Sequence, residues 1–189
     1  MLPGRAAGLH LAEKGRAQAD LVAGRIAAMD EPPTAIYASP LERTRETAAP
    51  IAAALGLRVR TARGLIEVDV GEWTEKSLAR LYKNKAWPTV QRWPSGFTFP
   101  GGESFSEMST RSTTAVLGLV KAHPGETIVA VSHADPIKAV VAAAAGIPLD
   151  LMQRLVISPC SVSALLFTGG GPAILCVNST GSLGDLVLS

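Results

Sequence analysis

The chain has 189 residues, of which 47% are hydrophobic and 18% charged, so it is long enough for one well-packed domain and too apolar for intrinsic disorder. Its net charge is +2 and no cluster of five basic residues occurs, which argues against a nucleic-acid surface. The longest apolar stretch, residues 139–147, is too short to cross a membrane, and the first residues lack the apolar core of a signal peptide. We therefore expect a cytoplasmic protein, with Cys160 and Cys176 as reduced, buried thiols.

The predicted elements alternate between helix and strand along the chain. Helical and two-residue periodicities, together with Pro and Gly stops, define their bounds. The predicted helices cover residues 13–28, 41–55, 74–85, 103–123, 135–145 and 150–155, and the predicted strands cover residues 34–39, 58–60, 65–68, 127–132, 161–168 and 173–178. This alternation predicts an α/β fold, a three-layer α/β/α sandwich that forms one domain over residues 1–189. We interpret residues 73–100, rich in Pro, Gly and aromatics, as a cap or insert over the site.

Charged residues follow two of the predicted strands at the point where each strand ends. Residues 39–45 (SPLERTR) follow one strand, and residues 132–135 (SHAD) follow another. Ligands of open α/β sheets bind beyond the carboxyl ends of the strands, where helix N-termini favour anions. An Arg and a His that meet there would bind phosphate. Glu67 ends a third predicted strand and could donate or accept a proton beside that phosphate.

These segments together resemble the histidine phosphatase, or phosphoglycerate-mutase-like, superfamily. Residues 39–48 are similar to the segment with the family's phosphate-binding arginine, which corresponds to Arg43. Residues 65–73 resemble the segment with the acid/base glutamate, which corresponds to Glu67. Residues 131–133 resemble the strand end with the family's second histidine, so the resemblance implies that His133 is catalytic and binds phosphate. Residues 132–138 further resemble the actinobacterial phosphomutase branch of the family.

The resemblance also implies a substrate side. Residues 100–104 (PGGES) resemble the family's substrate-side loop at the start of a long helix, which makes Glu103 and Ser104 candidates for substrate contact. Arg5 could reach the same mouth, although a flexible terminal arginine is the simpler interpretation. The four matching segments keep the family's order and extend over residues 2–180.

One family segment has no counterpart in the printed sequence. The family begins with a strand that ends in Arg-His-Gly, whose histidine is the nucleophile, and this tripeptide does not occur here. We expect that about twenty residues are missing in front, since a strand takes about 5–6 residues and a loop must follow it. Our hypothesis is that the start codon was assigned too far downstream. The fold would then lack its first, internal strand, and the chain would contain no nucleophile.

The resemblance implies two-step phosphoryl transfer through a phosphohistidine, without a metal or other cofactor, on a small phosphorylated substrate. Arg43 and a protonated His133 would surround the phosphoryl oxygens, and Glu67 would protonate the leaving oxygen. Water as acceptor gives a phosphatase, and a retained hydroxyl gives a phosphomutase. A homodimer fits the family. The alternative is a pseudo-phosphatase, a non-catalytic anion-binding or interaction protein.

Each candidate also has an ordinary structural interpretation. His133 could be a core histidine that bonds to backbone, and Arg43 could be an exposed helix arginine. Asp69 and Glu72 compete with Glu67 for the acid/base role because they lie nearby. His10 matches no catalytic position of the family, so we do not expect it to replace the nucleophile.

Overall fold

The computed structural model describes residues 1–181, and residues 182–189, the end of the predicted domain, lie outside the described part. Helices and strands alternate largely as predicted. The elements in chain order are α1 (Glu13–Ala27), β1 (Ala35–Ala38), α2 (Glu42–Leu55), β2 (Val59–Thr61), α3 (Leu78–Leu81), α4 (Trp87–Arg92), α5 (Phe105–Ala122), β3 (Ile128–Val131), α6 (Ala134–Ala144), β4 (Val162–Thr168) and β5 (Gly171–Ser179). Short 3₁₀ turns at Arg63–Leu65, Gly71–Trp73, Pro94–Gly96 and Leu149–Arg154 complete the path.

A three-stranded parallel sheet in the order β2-β1-β3 forms the centre of the fold. β1 is the middle strand, and its Ala38 pairs with Thr61 on one side and Val131 on the other. β4 and β5 form a separate antiparallel hairpin. Within residues 1–181, β3 therefore has a strand partner on one side only. Accordingly, every residue of β3 is at least partly exposed, whereas Ile36 of β1 is fully buried.

Two hydrophobic clusters form the core. The first contains the apolar faces of α1 and α2 packed onto β1, as the helical periodicity of both segments predicts. Its buried members are Val22, Ala23, Ile26, Ile36, Ala38, Ala48, Ile51 and Ala52. The second cluster lies around α5 and α6 and includes aromatic residues of the predicted cap, among them Trp73, Phe97 and Phe99. The segment 73–100 thus shares a core with α5 and α6.

Two predicted elements are wrong. Residues 65–68 do not form a strand, because the carbonyls of Gly64 and Ile66 accept hydrogen bonds from the Arg111 guanidinium in place of a neighbouring strand. The helix predicted over residues 74–85 shrinks to α3, and Ser77 caps its short N-terminus. Cys160 and Cys176 are free thiols, as predicted, but both are partly exposed and not buried. None of the helices in residues 1–181 has the length and apolar character needed to span a membrane.

Candidate active site

The two strand-to-helix junctions singled out in the sequence lie side by side. β1 and β3 are hydrogen-bonded neighbours, so the residues that follow them meet at the same edge of the sheet. The Ser39 N–H donates to the Val131 carbonyl at 2.9 Å, and the Ser39 hydroxyl oxygen lies 2.8 Å from Nε2 of His133. α2 and α6 begin directly afterwards, and their N-termini face this edge.

His133 is held at the bottom of the site with only 5% of its side chain exposed. Nε2 contacts Ser39, and Nδ1 lies 4.0 Å from Oε2 of Glu67. Burial, and after it the positive charges of Arg43, Arg111 and Arg5, lower the pKa of His133 to about 3. The free protein therefore favours a neutral His133, and the protonated His133 expected around a bound phosphoryl group stays a prediction.

Glu67 is the carboxyl group that faces His133. Its Oε1 accepts a hydrogen bond from the Val68 N–H at 2.9 Å, and only 15% of its side chain is exposed. Burial, with a contribution from the Asp135 carboxylate, raises the pKa of Glu67 to about 8 despite the opposing effects of the Val68 N–H, Arg43 and Arg111. Glu67 thus carries a proton at neutral pH and can donate it.

Arg43 reaches the site from the first turn of α2. Its Nη2 donates to the Gly4 carbonyl at 2.9 Å, while Nη1 is buried and has no hydrogen-bond partner among residues 1–181. Desolvation lowers the pKa of this guanidinium, and its charge acts on the pKa values of both Glu67 and His133. A buried N–H without an acceptor is costly, so this donor favours a bound anion.

The predicted substrate-side residues have partners within the protein. Arg5 donates to Glu103 at 2.8 Å, to Asp69 at 3.4 Å and to the Glu67 carbonyl at 2.8 Å. Glu103 also accepts two hydrogen bonds from Arg111, each 2.9 Å long. The Ser104 side chain caps the N-terminus of α5. An open cleft of about 310 Å³ borders this network, and its lining residues are Arg5, Asp69, Gly101, Gly102, Glu103 and Glu107. Contact of Arg5, Glu103 and Ser104 with substrate stays a prediction.

Two glycines allow the Glu67 segment to pack closely against the loop at residues 100–103. A Cβ atom on Gly71, whose φ is +48°, would lie 2.2 Å from the Pro100 carbonyl oxygen. A Cβ atom on Gly102 would lie 2.3 Å from the Asp69 carbonyl oxygen. Both contacts are too short for any residue but glycine. The close approach lets the Glu103 N–H donate to the Asp69 carbonyl at 2.8 Å, which fixes the chain just after Glu67.

Sequence reasoning missed three residues of this region. Ser39 was visible only as part of a motif, and nothing in its spacing indicated a bond to His133. Arg111 lies in the middle of α5, where an arginine usually marks an exposed face. Asp135 occupies the first turn of α6, 3.7 Å from Lys138 in the next turn, and burial raises its pKa. Its place directly after the His133 motif was the one available signal.

The other two histidines of the chain are engaged elsewhere. His10 is mostly exposed and pairs with Glu46. His123 bonds through Nε2 to the Tyr37 hydroxyl at 2.8 Å and through Nδ1 to Glu126 at 2.9 Å. Among residues 1–181 there is also no group of three or more His, Cys, Asp or Glu side chains arranged to hold a metal ion.

Comparisons with known proteins agree with this geometry. The model of the histidine phosphatase superfamily (branch 1) matches residues 3–180. The chain is 32% identical over 178 residues to phosphoserine phosphatase 1 of Hydrogenobacter thermophilus, covering 93% of this chain and 83% of that protein. It is 31% identical over 157 residues to the probable phosphoglycerate mutase GpmB of Enterobacter sp., covering 82% of this chain and 72% of that protein.

Solved structures show the same similarity. The native structure of the mycobacterial glucosyl-3-phosphoglycerate phosphatase superposes with a TM-score of 0.84 and 25% sequence identity, covering 95% of this chain and 91% of that one. A phosphoserine phosphatase mutant from Entamoeba histolytica, in complex with phosphoserine, gives a TM-score of 0.83 at 26% identity over 96% of this chain and 90% of that one. The expected phosphoglycerate-mutase-like α/β fold is confirmed, and the chain belongs to the histidine phosphatase superfamily.

Proposed function

We propose that the protein catalyses phosphoryl transfer from small phosphate monoesters, with Arg43 and His133 binding the phosphoryl group and Glu67 acting as the proton donor. The observation that carries the proposal is the pairing of a buried Arg43 Nη1, which has no partner among residues 1–181, with a carboxyl group that stays protonated at neutral pH. The first favours a phosphate oxygen, and the second favours a leaving alcohol that needs a proton. Arg43 supplies the positive charge that a metal ion supplies in other phosphotransferases.

The chemistry follows from these positions. A histidine nitrogen attacks phosphorus, the bond from phosphorus to the leaving oxygen breaks, and Glu67 passes its proton to that oxygen. Water then attacks the phosphohistidine, the bond from phosphorus to nitrogen breaks, and phosphate and the free histidine are released. The Glu67 carboxylate accepts a proton from this water, which regenerates the acid. We propose water as the acceptor, and thus a phosphatase, because a relative that is 32% identical over 93% of this chain is named phosphoserine phosphatase 1. A phosphomutase would instead return the phosphoryl group to a substrate hydroxyl.

The nucleophilic histidine is a separate part of the proposal. Each histidine of the chain is bonded to another side chain, and His133 is buried against Ser39. We propose that a strand ending in Arg-His-Gly pairs with the free edge of β3. Such a strand, parallel to β3, would place its last residues beside His133, which follows the end of β3. Residues 1–189 alone would then be inactive or impaired.

A second candidate function is non-catalytic anion binding. The observation that favours it is that all three histidines contact other side chains, which leaves a phosphate site without an attacking group. This alternative keeps the role of Arg43 and removes the roles of Glu67 and the acceptor. A cytoplasmic location and a homodimer stay predictions, and sedimentation of the purified chain would test the homodimer.

The test is phosphate release from phosphoserine, 3-phosphoglycerate, glycerol phosphate and p-nitrophenyl phosphate. We would compare the 189-residue chain, the chain preceded by its upstream reading frame with an Arg-His-Gly strand, and that longer chain with His133→Ala. Turnover by the longer chain alone would support the full proposal. Turnover by the 189-residue chain would overturn the part that concerns the nucleophile. If none of the three turns over while phosphate still binds, the anion-binding alternative is correct.

A further inference from the structure

We infer that Ser39 is a positioning residue that fixes the ring of His133 as the tautomer with hydrogen on Nδ1. His133 would then present a hydrogen-bond donor to the phosphoryl group and could not be the nucleophile. The identity of the ligand rests on the proposed function, whereas the tautomer is a property of the free chain and can be measured without turnover.

The buried Ser39 hydroxyl needs an acceptor for its hydrogen. Ser39 is fully buried, and its Oγ lies 2.8 Å from His133 Nε2 and 3.4 Å from the Leu41 N–H, which donates to it. A hydroxyl group has one hydrogen to donate and two lone pairs to accept with. The Leu41 N–H uses one lone pair, so the hydrogen of Oγ still needs an acceptor. Among residues 1–181, and apart from the neighbouring residues 39–45, the acceptor within hydrogen-bond distance of this hydroxyl is Nε2 of His133.

The opposite tautomer, with hydrogen on Nε2, is less favourable. If Nε2 carried the hydrogen, it would donate to Oγ, and the Ser39 O–H would be left buried without that acceptor. An unsatisfied buried polar group costs about 1–3 kcal/mol. The bare Nδ1 would also lack a donor, because the protonated Glu67 lies 4.0 Å away, beyond hydrogen-bond distance. The tautomer with hydrogen on Nδ1 satisfies the Ser39 hydroxyl and Nε2, and it leaves the Nδ1–H available to a ligand.

The His133 ring is not doubly protonated in the free chain. Burial lowers the pKa of His133, and the charges of Arg43, Arg111 and Arg5 act in the same direction. The facing carboxyl of Glu67 is itself protonated at neutral pH and offers no negative charge. His133 is therefore neutral, with one hydrogen to place.

The consequence is a division of roles at the site. The lone pair of Nε2 is occupied by Ser39, and the Nδ1 nitrogen that faces Glu67 carries a hydrogen. A ring in this state cannot attack phosphorus, but its N–H can bond an equatorial phosphoryl oxygen next to the free N–H of Arg43. A dianionic phosphate would strengthen this bond and favour a charged ring once it is bound.

The experiment is a long-range ¹H–¹⁵N correlation spectrum of the ¹⁵N-labelled 189-residue chain at pH 7. The chain has three histidines, so His10→Gln and His123→Gln identify the His133 ring by elimination. We expect a pyrrole-type shift for Nδ1 of His133 and a pyridine-type shift for Nε2. A pyrrole-type Nε2, or a doubly protonated ring, would overturn the inference on the wild-type chain alone.

Variants test the role of the hydroxyl. In Ser39→Ala the ring should lose its fixed tautomer, so that both nitrogens move towards intermediate shifts, and affinity for inorganic phosphate should fall about fivefold to tenfold through loss of one positioning hydrogen bond. Ser112→Ala is the matched control, because Ser112 is equally buried and its hydroxyl bonds the Met108 carbonyl away from His133. Unchanged His133 shifts in Ser39→Ala would contradict the inference.

Inorganic phosphate separates this inference from the proposed function. If phosphate shifts the Nδ1 signal of a ring with the expected tautomer, both ideas gain support. The expected tautomer without any response to saturating phosphate would overturn the proposed function and leave the inference standing. The wrong tautomer together with phosphate binding would overturn the inference alone.

Discussion

Two arginines near Glu67, Arg111 and Arg43, differ in how many of their hydrogen-bond donors have an acceptor. Arg111 donates to both carboxylate oxygens of Glu103 and to the carbonyls of Gly64 and Ile66. Arg43 makes one bond to the Gly4 carbonyl and keeps its buried Nη1 without a partner among residues 1–181. An arginine with every donor engaged holds the chain in place, whereas a desolvated arginine with a spare donor is prepared for a ligand.

The carboxyl groups follow the same division. Glu103 is neutralised by the two arginines Arg5 and Arg111, so it belongs to the scaffold that fixes the loops around the site. Among residues 1–181, Glu67 has no ion-pair partner closer than the 4.0 Å contact to His133, and burial keeps it protonated. From this comparison we propose that the residues with unsatisfied donors or displaced pKa values carry the chemistry. Substitutions at these residues separate those that bind ligand from those that hold the loops in place.

The largest expected effect is on anion binding by Arg43. We expect Arg43→Ala to weaken binding of inorganic phosphate about 100-fold or more, because a charge-assisted donor in a desolvated pocket is lost. Arg45→Ala, two residues along the same helix on an exposed position, should leave binding unchanged. Isothermal titration calorimetry of both variants measures the difference. Equal affinities would show that Arg43 is an ordinary helix arginine.

Arg111 should affect stability and not ligand binding. We expect Arg111→Ala to lower the free energy of unfolding by about 2–4 kcal/mol, since Glu103 loses its partner and the carbonyls of Gly64 and Ile66 lose their donor. Urea unfolding followed by circular dichroism measures this change. In the folded variant, phosphate affinity should change less than tenfold. Full stability with lost phosphate binding would place Arg111 in the ligand site.

Glu67 should give the stability of the protein a characteristic pH dependence. The pKa of Glu67 is about 8 in the folded chain against an ordinary value of 4.5, so the folded state holds the proton more tightly and stability falls as pH rises between these values. His133, with a folded pKa of about 3 against an ordinary value of 6.5, has the opposite effect below pH 6.5. The decrease due to Glu67 should therefore be visible from pH 6.5 to 8, at up to about 1.4 kcal/mol per pH unit.

The variant Glu67→Gln tests this slope. Glutamine does not titrate, so the fall in the free energy of unfolding between pH 6.5 and 8 should disappear. Glu72→Gln, at an exposed position five residues along the chain, should keep the wild-type slope. Thermal unfolding across this pH range measures all three proteins, and an unchanged slope in Glu67→Gln would show that another group carries the proton.

The smallest expected effect concerns Asp135. Its charge helps to raise the pKa of Glu67, so Asp135→Asn should lower that pKa and leave the fold intact. A ¹³C NMR titration of the glutamate carboxyl signals measures the change directly. A higher pKa of Glu67 in this variant would mean that Asp135 acts through Lys138 or Gln153, which both contact it, and not through its charge.

The sequence predicted which candidate residues lie close together better than it predicted the loops that support them. The junctions at Ser39 and His133 could be placed because strand ends in an α/β sheet share one edge, a rule that needs only element order. Glu67 was found by resemblance, but the strand predicted around it was wrong. Arg111, which lies 45 residues after Ile66, donates hydrogen bonds to the carbonyls of Gly64 and Ile66 in place of a neighbouring strand. Such bonds from a side chain to a distant backbone leave no periodicity in the sequence. The neutral state of His133 in the free chain likewise depends on burial that only the fold reveals.

The central claim is that Arg43, Glu67 and His133 form a phosphate site, and the most direct measurement is a crystal structure of the chain soaked with inorganic phosphate. We predict an anion within hydrogen-bond distance of Arg43 Nη1 and His133 Nδ1, with the Glu67 carboxyl beside it. Phosphate bound instead at the Arg5 and Arg111 network, or no phosphate in the pocket at a saturating concentration, would contradict the claim.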